Sequence, residues 1–354
     1  MTDNDDRRPD DRRPPVPGSG DERLSPSTFF QGDPAAPQHV DELDRFSIEK
    51  PLDLQEKSYS QGQLVRRRFF RHKGALVSLG VLVGITVLAV TSIGIAGIPG
   101  WWDKSYLTGG TVVDGGRPTL SLWPPSLGEH PFGQDNTGKD YFALTMRGAQ
   151  QSLTIAFAVG LLSTFIGTVI GSLAGYYRGW VEGVLMRMTD LFIVIPLLVL
   201  AAVVAKIAGG GIWALAFALS ILVWTGLARL VRGEVLSLRE REFVTAAEAI
   251  GSPSGRILFK HILPNTIGTI IVSATLTIAG AILLESALSF LGYGILPPET
   301  SLGLLISQYQ TAFTSRPWLF WWPGMFILAI ALSVNFLGDG LRDAFDPRQN
   351  RSAD

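Results

Sequence analysis

The 354-residue sequence has no cysteine, so it can form no disulfide and offer no thiolate to a metal. Histidine is nearly as scarce. His39, His72, His130 and His261 are scattered in different contexts, and no metal site is expected. Charged residues make up only 17% of the chain against 47% hydrophobic ones, which excludes an ordinary soluble protein of this length. A phosphate-binding loop is missing too, because Gly138-Lys139 runs into Asp140 and lacks the upstream glycine spacing. No ATP site is therefore expected in this chain. Paired carboxylates, clustered histidines and a nucleophile with its base are absent at membrane depth, which argues against an integral membrane enzyme and leaves no catalytic residue to assign. An ion-coupled secondary transporter would need intramembrane ionisable groups or inverted repeats, and neither stands out. No nucleic-acid partner is expected.

Six long apolar runs are present. They cover about 75–98, 153–176, 191–208, 212–231, 266–291 and 318–341. Runs of this length cross roughly 30 Å of hydrocarbon at about 1.5 Å per helical residue. They lack the alternation of barrel strands, so the expected fold is an all-α integral membrane protein with about six transmembrane helices. Pro196 should bend the third span. Gly160, Gly167, Gly171 and Gly175 mark one helix face for close packing against a neighbour. Residues 1–65, rich in Asp, Arg, Pro and Ser and without an apolar core, read as a disordered tail. Residues 66–348 form the membrane domain, and 349–354 a short C-terminal tail.

Basic residues Arg66, Arg67, Arg68, Arg71 and Lys73 immediately precede the first span and predict a cytoplasmic N-terminus. Alternation then places the C-terminus inside as well. It also puts the segment 99–151 outside and the polar segment 232–264 inside. Within the outer segment, Trp101 and Trp102 suit a membrane interface, and DYFALTMRGAQQSL reads as a short amphipathic helix leading into the second span. Within the inner one, Glu242 to Asn265 has a helix-forming half, a Gly251-Ser252-Pro253 break and a second half containing Ile257, Leu258 and Ile262. Small Ala246 and Ala247 would let its backbone press into a groove on another protein.

Thr245-Ala246-Ala247, Gly251 and Leu263-Pro264 match the spacing of the EAA loop of ABC importer permeases, with Thr245 at the usual Glu position and His261 where an aliphatic residue is common. Three further segments, 130–153, 284–303 and 335–348, resemble the second permease of dipeptide and oligopeptide importers, a branch that also serves nickel and glutathione systems. The resemblance implies a type I ABC importer membrane domain in a bacterial cytoplasmic membrane. It also implies a second homologous permease, one or two ABC ATPase subunits that bind ATP and Mg, and an extracytoplasmic peptide-binding protein. Membrane lipid would surround the assembly. Thr245, Ala246, Ala247, Glu248, Gly251, Ser252, Pro253 and Arg256 would then form the ATPase-coupling contact. Glu285, deep in the fifth span, either lines the solute path or hydrogen-bonds to a neighbouring helix, the second being favoured.

Overall fold

The computed structural model describes residues 61–95 and 97–346; most of the tail expected over 1–65 and all of 349–354 lie outside the described residues. A short helix, α1 (Gln61–Phe69), leads into α2 (Lys73–Ile93), which His72 starts by accepting a hydrogen bond from the Ala75 N–H through Nδ1. α2 stops at Gly94, and the chain turns through a small hairpin of β1 (Gly94–Ile95) and β2 (Ile98–Pro99). A second two-residue pair, β3 (Ser121–Leu122) with β4 (Pro125–Ser126), lies in the irregular segment that follows. Then comes α3 (Tyr141–Tyr177), 37 residues long and capped by the Asp140 carboxylate on the Ala143 N–H.

α4 (Gly179–Val194) and α5 (Leu197–Ala208) are two arms of one expected span, bent by 93° at Ile195-Pro196. The next span is also broken, into α6 (Ile212–Val223) and α7 (Thr225–Arg239), but only by 44°. The polar hairpin follows as α8 (Glu242–Ala249) and α9 (Ser254–Arg256), and α9 runs on through a wider π turn, Ile257–Ile262, into α10 (Leu263–Phe290). α11 (Leu302–Tyr309) and α12 (Trp318–Phe345) complete the order. Four helical stretches are long and apolar enough to cross a membrane, and counting each bent pair as one span makes six.

The helices pack so that one end of the bundle carries residues 99–140 (the cap end) and the other carries 240–262 (the loop end). Lipid tails are as apolar as leucine, so helices in a membrane are held by close approach and hydrogen bonds more than by water exclusion. α3 shows how. A Cβ added at Gly171 would lie 2.4 Å from the Ala228 carbonyl oxygen on α7, and one at Gly175 would lie 2.8 Å from that of Arg232. Of the expected glycine face, Gly167, Gly171 and Gly175 form a packing seam between α3 and α7, while Gly160 meets Ile278 on α10.

Two expectations need correction. The segment DYFALTMRGAQQSL is not a separate helix; it forms the first turns of α3, because its polar side chains find partners inside the protein. Residues 232–239, expected in the polar loop, continue α7, since Val235 packs inward under Val244 and Tyr176. The inner loop proper begins at Glu240.

Candidate functional site

The loop end is built on a core of its own. Tyr176, Leu227, Val231, Val235, Val244, Ala247, Ile257, Leu258 and Ile262 form a cluster separate from the large core of the bundle. Val244 and Ala247 are three residues apart, so both point from one side of α8 onto α7 and the π turn. Ile257, Leu258 and Ile262, the apolar set expected in the second half, close the cluster from below. The other side of α8 is open: Thr245, Ala246 and Glu248 are exposed. Gly251, at φ +78°, turns the chain in a left-handed conformation that favours glycine, with nothing within 4 Å of where a Cβ would sit. Ser252 is half-buried, and Pro253 and Arg256 are exposed.

Seven of the eight residues named for the coupling contact therefore share one accessible ridge. Ala247 does not. It is 5% exposed and packs into the chain's own cluster, so the small-residue pair splits between an inner and an outer role.

Charged contacts join the helices that carry this ridge. Arg239 stacks over the Tyr176 ring at 5.3 Å and donates to the Tyr176 carbonyl at 2.5 Å, fixing the end of α7 to the end of α3. Arg232 pairs with Glu182, Arg229 with Asp190, and Arg178 with Glu240, so α4 is linked to α7 and to the loop. Asp190, on α4, is thus an ion-pair partner of α7. Residues 182, 229 and 232 carried no signal as pairs, because their partners lie 39 or 50 residues away in sequence.

At the cap end, Glu285 is fully buried and accepts from Ser152 Oγ on α3 at 2.9 Å and from Ser289 Oγ at 2.7 Å. Ser152 Oγ in turn accepts from the Leu302 N–H at 3.3 Å, bringing in α11. Nearby, Arg147 makes a two-pronged contact with Glu299, at 2.9 and 3.0 Å, and Gln150 donates to the Ala89 and Gly94 carbonyls. Asp140 accepts from Trp102 Nε1 at 3.0 Å and faces His130 Nδ1 at 2.7 Å. Tyr309 donates to Asp135 at 2.9 Å; burial, and then the neighbouring carboxylate, push the phenol above its ordinary pKa, so it stays protonated and keeps donating. Of these cap residues only Glu285, and Trp102 as an interface residue, stood out in the sequence, and none of their pairings did. Among the described residues no group of three or more His, Cys, Asp or Glu could hold a metal ion.

A helical bundle of four to six candidate spans with an exposed helix–turn–helix at one end is the architecture of an integral membrane protein. The comparisons with known proteins agree. Residues 167–351, just over half of the chain, match the binding-protein-dependent transport system inner membrane component, and residues 60–99 match the N-terminal transmembrane domain of oligopeptide transport permease C. The chain belongs to this family of type I ABC importer membrane subunits, multi-pass proteins of the bacterial inner membrane. It is 38% identical over 290 residues to the oligopeptide transport system permease protein OppC of Mycobacterium tuberculosis, covering 81% of this chain and 95% of that one. The Haemophilus influenzae protein of the same name is 36% identical over 296 residues, 84% of this chain and 91% of its own. A Brucella ovis protein, whose name offers peptide permease as an assignment not yet established, is 44% identical over 222 residues, 62% and 74% of the two chains. The chain is thus a permease component of an ABC transporter complex.

Proposed function

We propose that this chain is one of two homologous permeases of an oligopeptide importer, and that the ridge 245–256 is its contact with an ABC ATPase. The observation that carries the reading is the two-sided loop: α8 anchors inward through Val244 and Ala247 while presenting Thr245, Ala246 and Glu248 outward. A ridge on its own small core can follow a docked partner and pull on α7 and α3 through Arg239, and on α4 through Arg232 and Arg229. ATP and Mg would be bound by the partner ATPases, and the cargo would be delivered by a peptide-binding protein at the cap end. The names of the relatives support an oligopeptide as cargo.

The orientation follows from the basic residues at the loop end. Arg66, Arg71 and Lys73 flank α2, and Arg239, Arg241, Arg256 and Lys260 sit in or beside the loop, which supports a cytoplasmic loop end and, by alternation, cytoplasmic termini. Glu285 is assigned a structural role, pinning α10 to α3 and α11, since its carboxylate is enclosed by this chain's own groups.

The test is co-purification and uptake with the native partner subunits. Ala246→Arg places a bulky charge on an exposed position and should leave the permease folded and inserted while abolishing peptide uptake and ATPase co-purification. Gly251→Asp should do the same and add strain at a positive φ. Normal uptake with a normally bound ATPase in Ala246→Arg would sink the coupling role.

A further inference from the structure

The segment that leads into the first span carries charge of one sign. From Gln61 to Lys73 it holds Arg66, Arg67, Arg68, Arg71 and Lys73 and no acidic residue. α1 divides its two faces between different surroundings. Leu64, Val65, Arg68 and Phe69 are half-buried, and α1 packs on the end of α12, where Arg68 Nη1 donates to the Asp346 carbonyl at 2.8 Å. Gln63, Arg66, Arg67 and Phe70, at helical spacing, turn the other way and line an open recess of about 380 Å³. Phe70 is 60% exposed, a large ring left uncovered on a face that is otherwise cationic. Arg71 and Lys73 are exposed as well.

The depth of this face follows from the helix it packs on. α12 runs about 20 residues without a charge, from Trp318 to Gly338, and so crosses roughly 30 Å of hydrocarbon before Asp339. Three pairings then step outward along its last turns. A Cβ added at Gly340 would lie 2.3 Å from that of Ala75, His72 Nε2 lies 3.5 Å from the Asp343 carboxylate, and Arg68 reaches Asp346. Residues 66–73 therefore sit beyond the hydrocarbon edge, beside turns of α12 that are already polar. That is the level of lipid headgroups.

Cations at this level need anions, and an uncovered ring beside them needs an apolar neighbour. A phospholipid supplies both, because guanidinium groups pair with phosphate oxygens and an aromatic ring fits the boundary between headgroups and acyl chains. Basic clusters immediately before a span gain further from a net negative headgroup. Asp343, the acidic side chain beside the start of α2, is turned to His72 and leaves the outer face of α1 to the cations. We propose that α1 and the turn after it bind an anionic phospholipid of the leaflet at the loop end, with Arg66, Arg67 and Arg71 on its phosphate and Phe70 at the top of its acyl chains. The site depends neither on the cargo nor on how an ATPase docks.

The test uses the full complex, assembled with its native partner subunits, in detergent micelles carrying a rising fraction of phosphatidylglycerol with a diazirine near the top of one acyl chain. A matched phosphatidylcholine probe is run beside it, and adducts are located by photolysis, digestion and mass spectrometry. Residues 64–74 should take several-fold more adduct from phosphatidylglycerol than from phosphatidylcholine, and unlabelled phosphatidylglycerol should compete where inorganic phosphate does not. Each basic residue near an anionic surface is worth about a fivefold change in binding, so Arg66→Gln with Arg71→Gln should raise the half-saturating fraction about 25-fold. Arg66→Lys with Arg71→Lys keeps the charge and should stay within about threefold of the original. Arg187→Gln, at an exposed position on α4, is the control and should change nothing. Equal labelling by the two lipids, or an unchanged half-saturation in the double Gln variant, would overturn the proposal. So would adducts that reach 64–74 only after residues 1–60 are deleted, since that Asp- and Glu-containing segment and not a lipid would then cover the face. Lost uptake with the labelling intact would strike the proposed function and leave the lipid site standing.

Discussion

The two ends of this bundle are held in opposite ways. At the cap end the contacts are polar and shared among several elements: Glu285, fully buried, binds Ser152 and Ser289, Ser152 reaches Leu302, and at the partly exposed rim Arg147 grips Glu299. At the loop end a small apolar cluster carries α8, and the ion pairs around it are half-exposed. Buried polar contacts are costly to leave unmade, whereas exposed ion pairs contribute little and re-form easily. The difference separates a fixed frame from a part able to move with a partner.

The comparison breaks most visibly at Glu285. Glu285→Ala leaves the hydroxyls of Ser152 and Ser289 without their acceptor and opens a cavity, which should cost about 2–5 kcal/mol. A large drop in the Tm of the purified complex, with failed assembly, is the expected outcome. Glu285→Gln keeps one acceptor oxygen and should preserve assembly and most uptake; selective loss of uptake with intact assembly would move Glu285 from the frame to the solute path. Next in size is the seam between α3 and α7. Gly171→Ala drives a methyl to 2.4 Å from the Ala228 carbonyl and should cost about 1–3 kcal/mol in thermal unfolding. Gly233→Ala, on α7 where a Cβ meets nothing within 4 Å, is the control and should be neutral or slightly stabilising.

Much of this architecture was legible in the sequence, because spans announce themselves by length and apolarity. The six runs, the bend at Pro196 and the glycine seam all follow from local rules, although proline foretells a bend and not its 93° size. What stayed hidden depends on distant partners. Arg147, Gln150 and Gln151 look like the polar end of an outer segment, yet α3 absorbs them because Glu299, Ala89 and Gly94 wait inside. Ala246 and Ala247 look equivalent as letters. Only the packing of Val244 and Ala247 on α7 shows that one alanine belongs to the cluster and its neighbour to the ridge.

That split sets a prediction of intermediate size. Val244→Ala removes buried methyls from the loop-end cluster and should cost about 1–3 kcal/mol. The loss should be local: hydrogen exchange in 242–262 rises while the cap end keeps its protection. Equal loss of protection at both ends would erase the distinction between frame and lever.

The smallest effect tests the frame from its rim. Arg147 is 21% and Glu299 35% exposed, so their two-pronged pair is partly screened by solvent, and Arg147→Lys should lower stability by at most about 1 kcal/mol. Lysine keeps the charge but not the fork, and it also loses the stacking of Arg147 over the Tyr106 ring at 5.3 Å. Gln151 still donates to Glu299 at 3.1 Å, so the 299 loop should stay in place and uptake should persist. Should Arg147→Lys match Glu285→Ala in lost stability, the frame would depend on its rim as much as on its buried centre. A shift no larger than that of the exposed control Gly233→Ala would instead put the frame's strength in the Glu285 contacts, where burial says it lies.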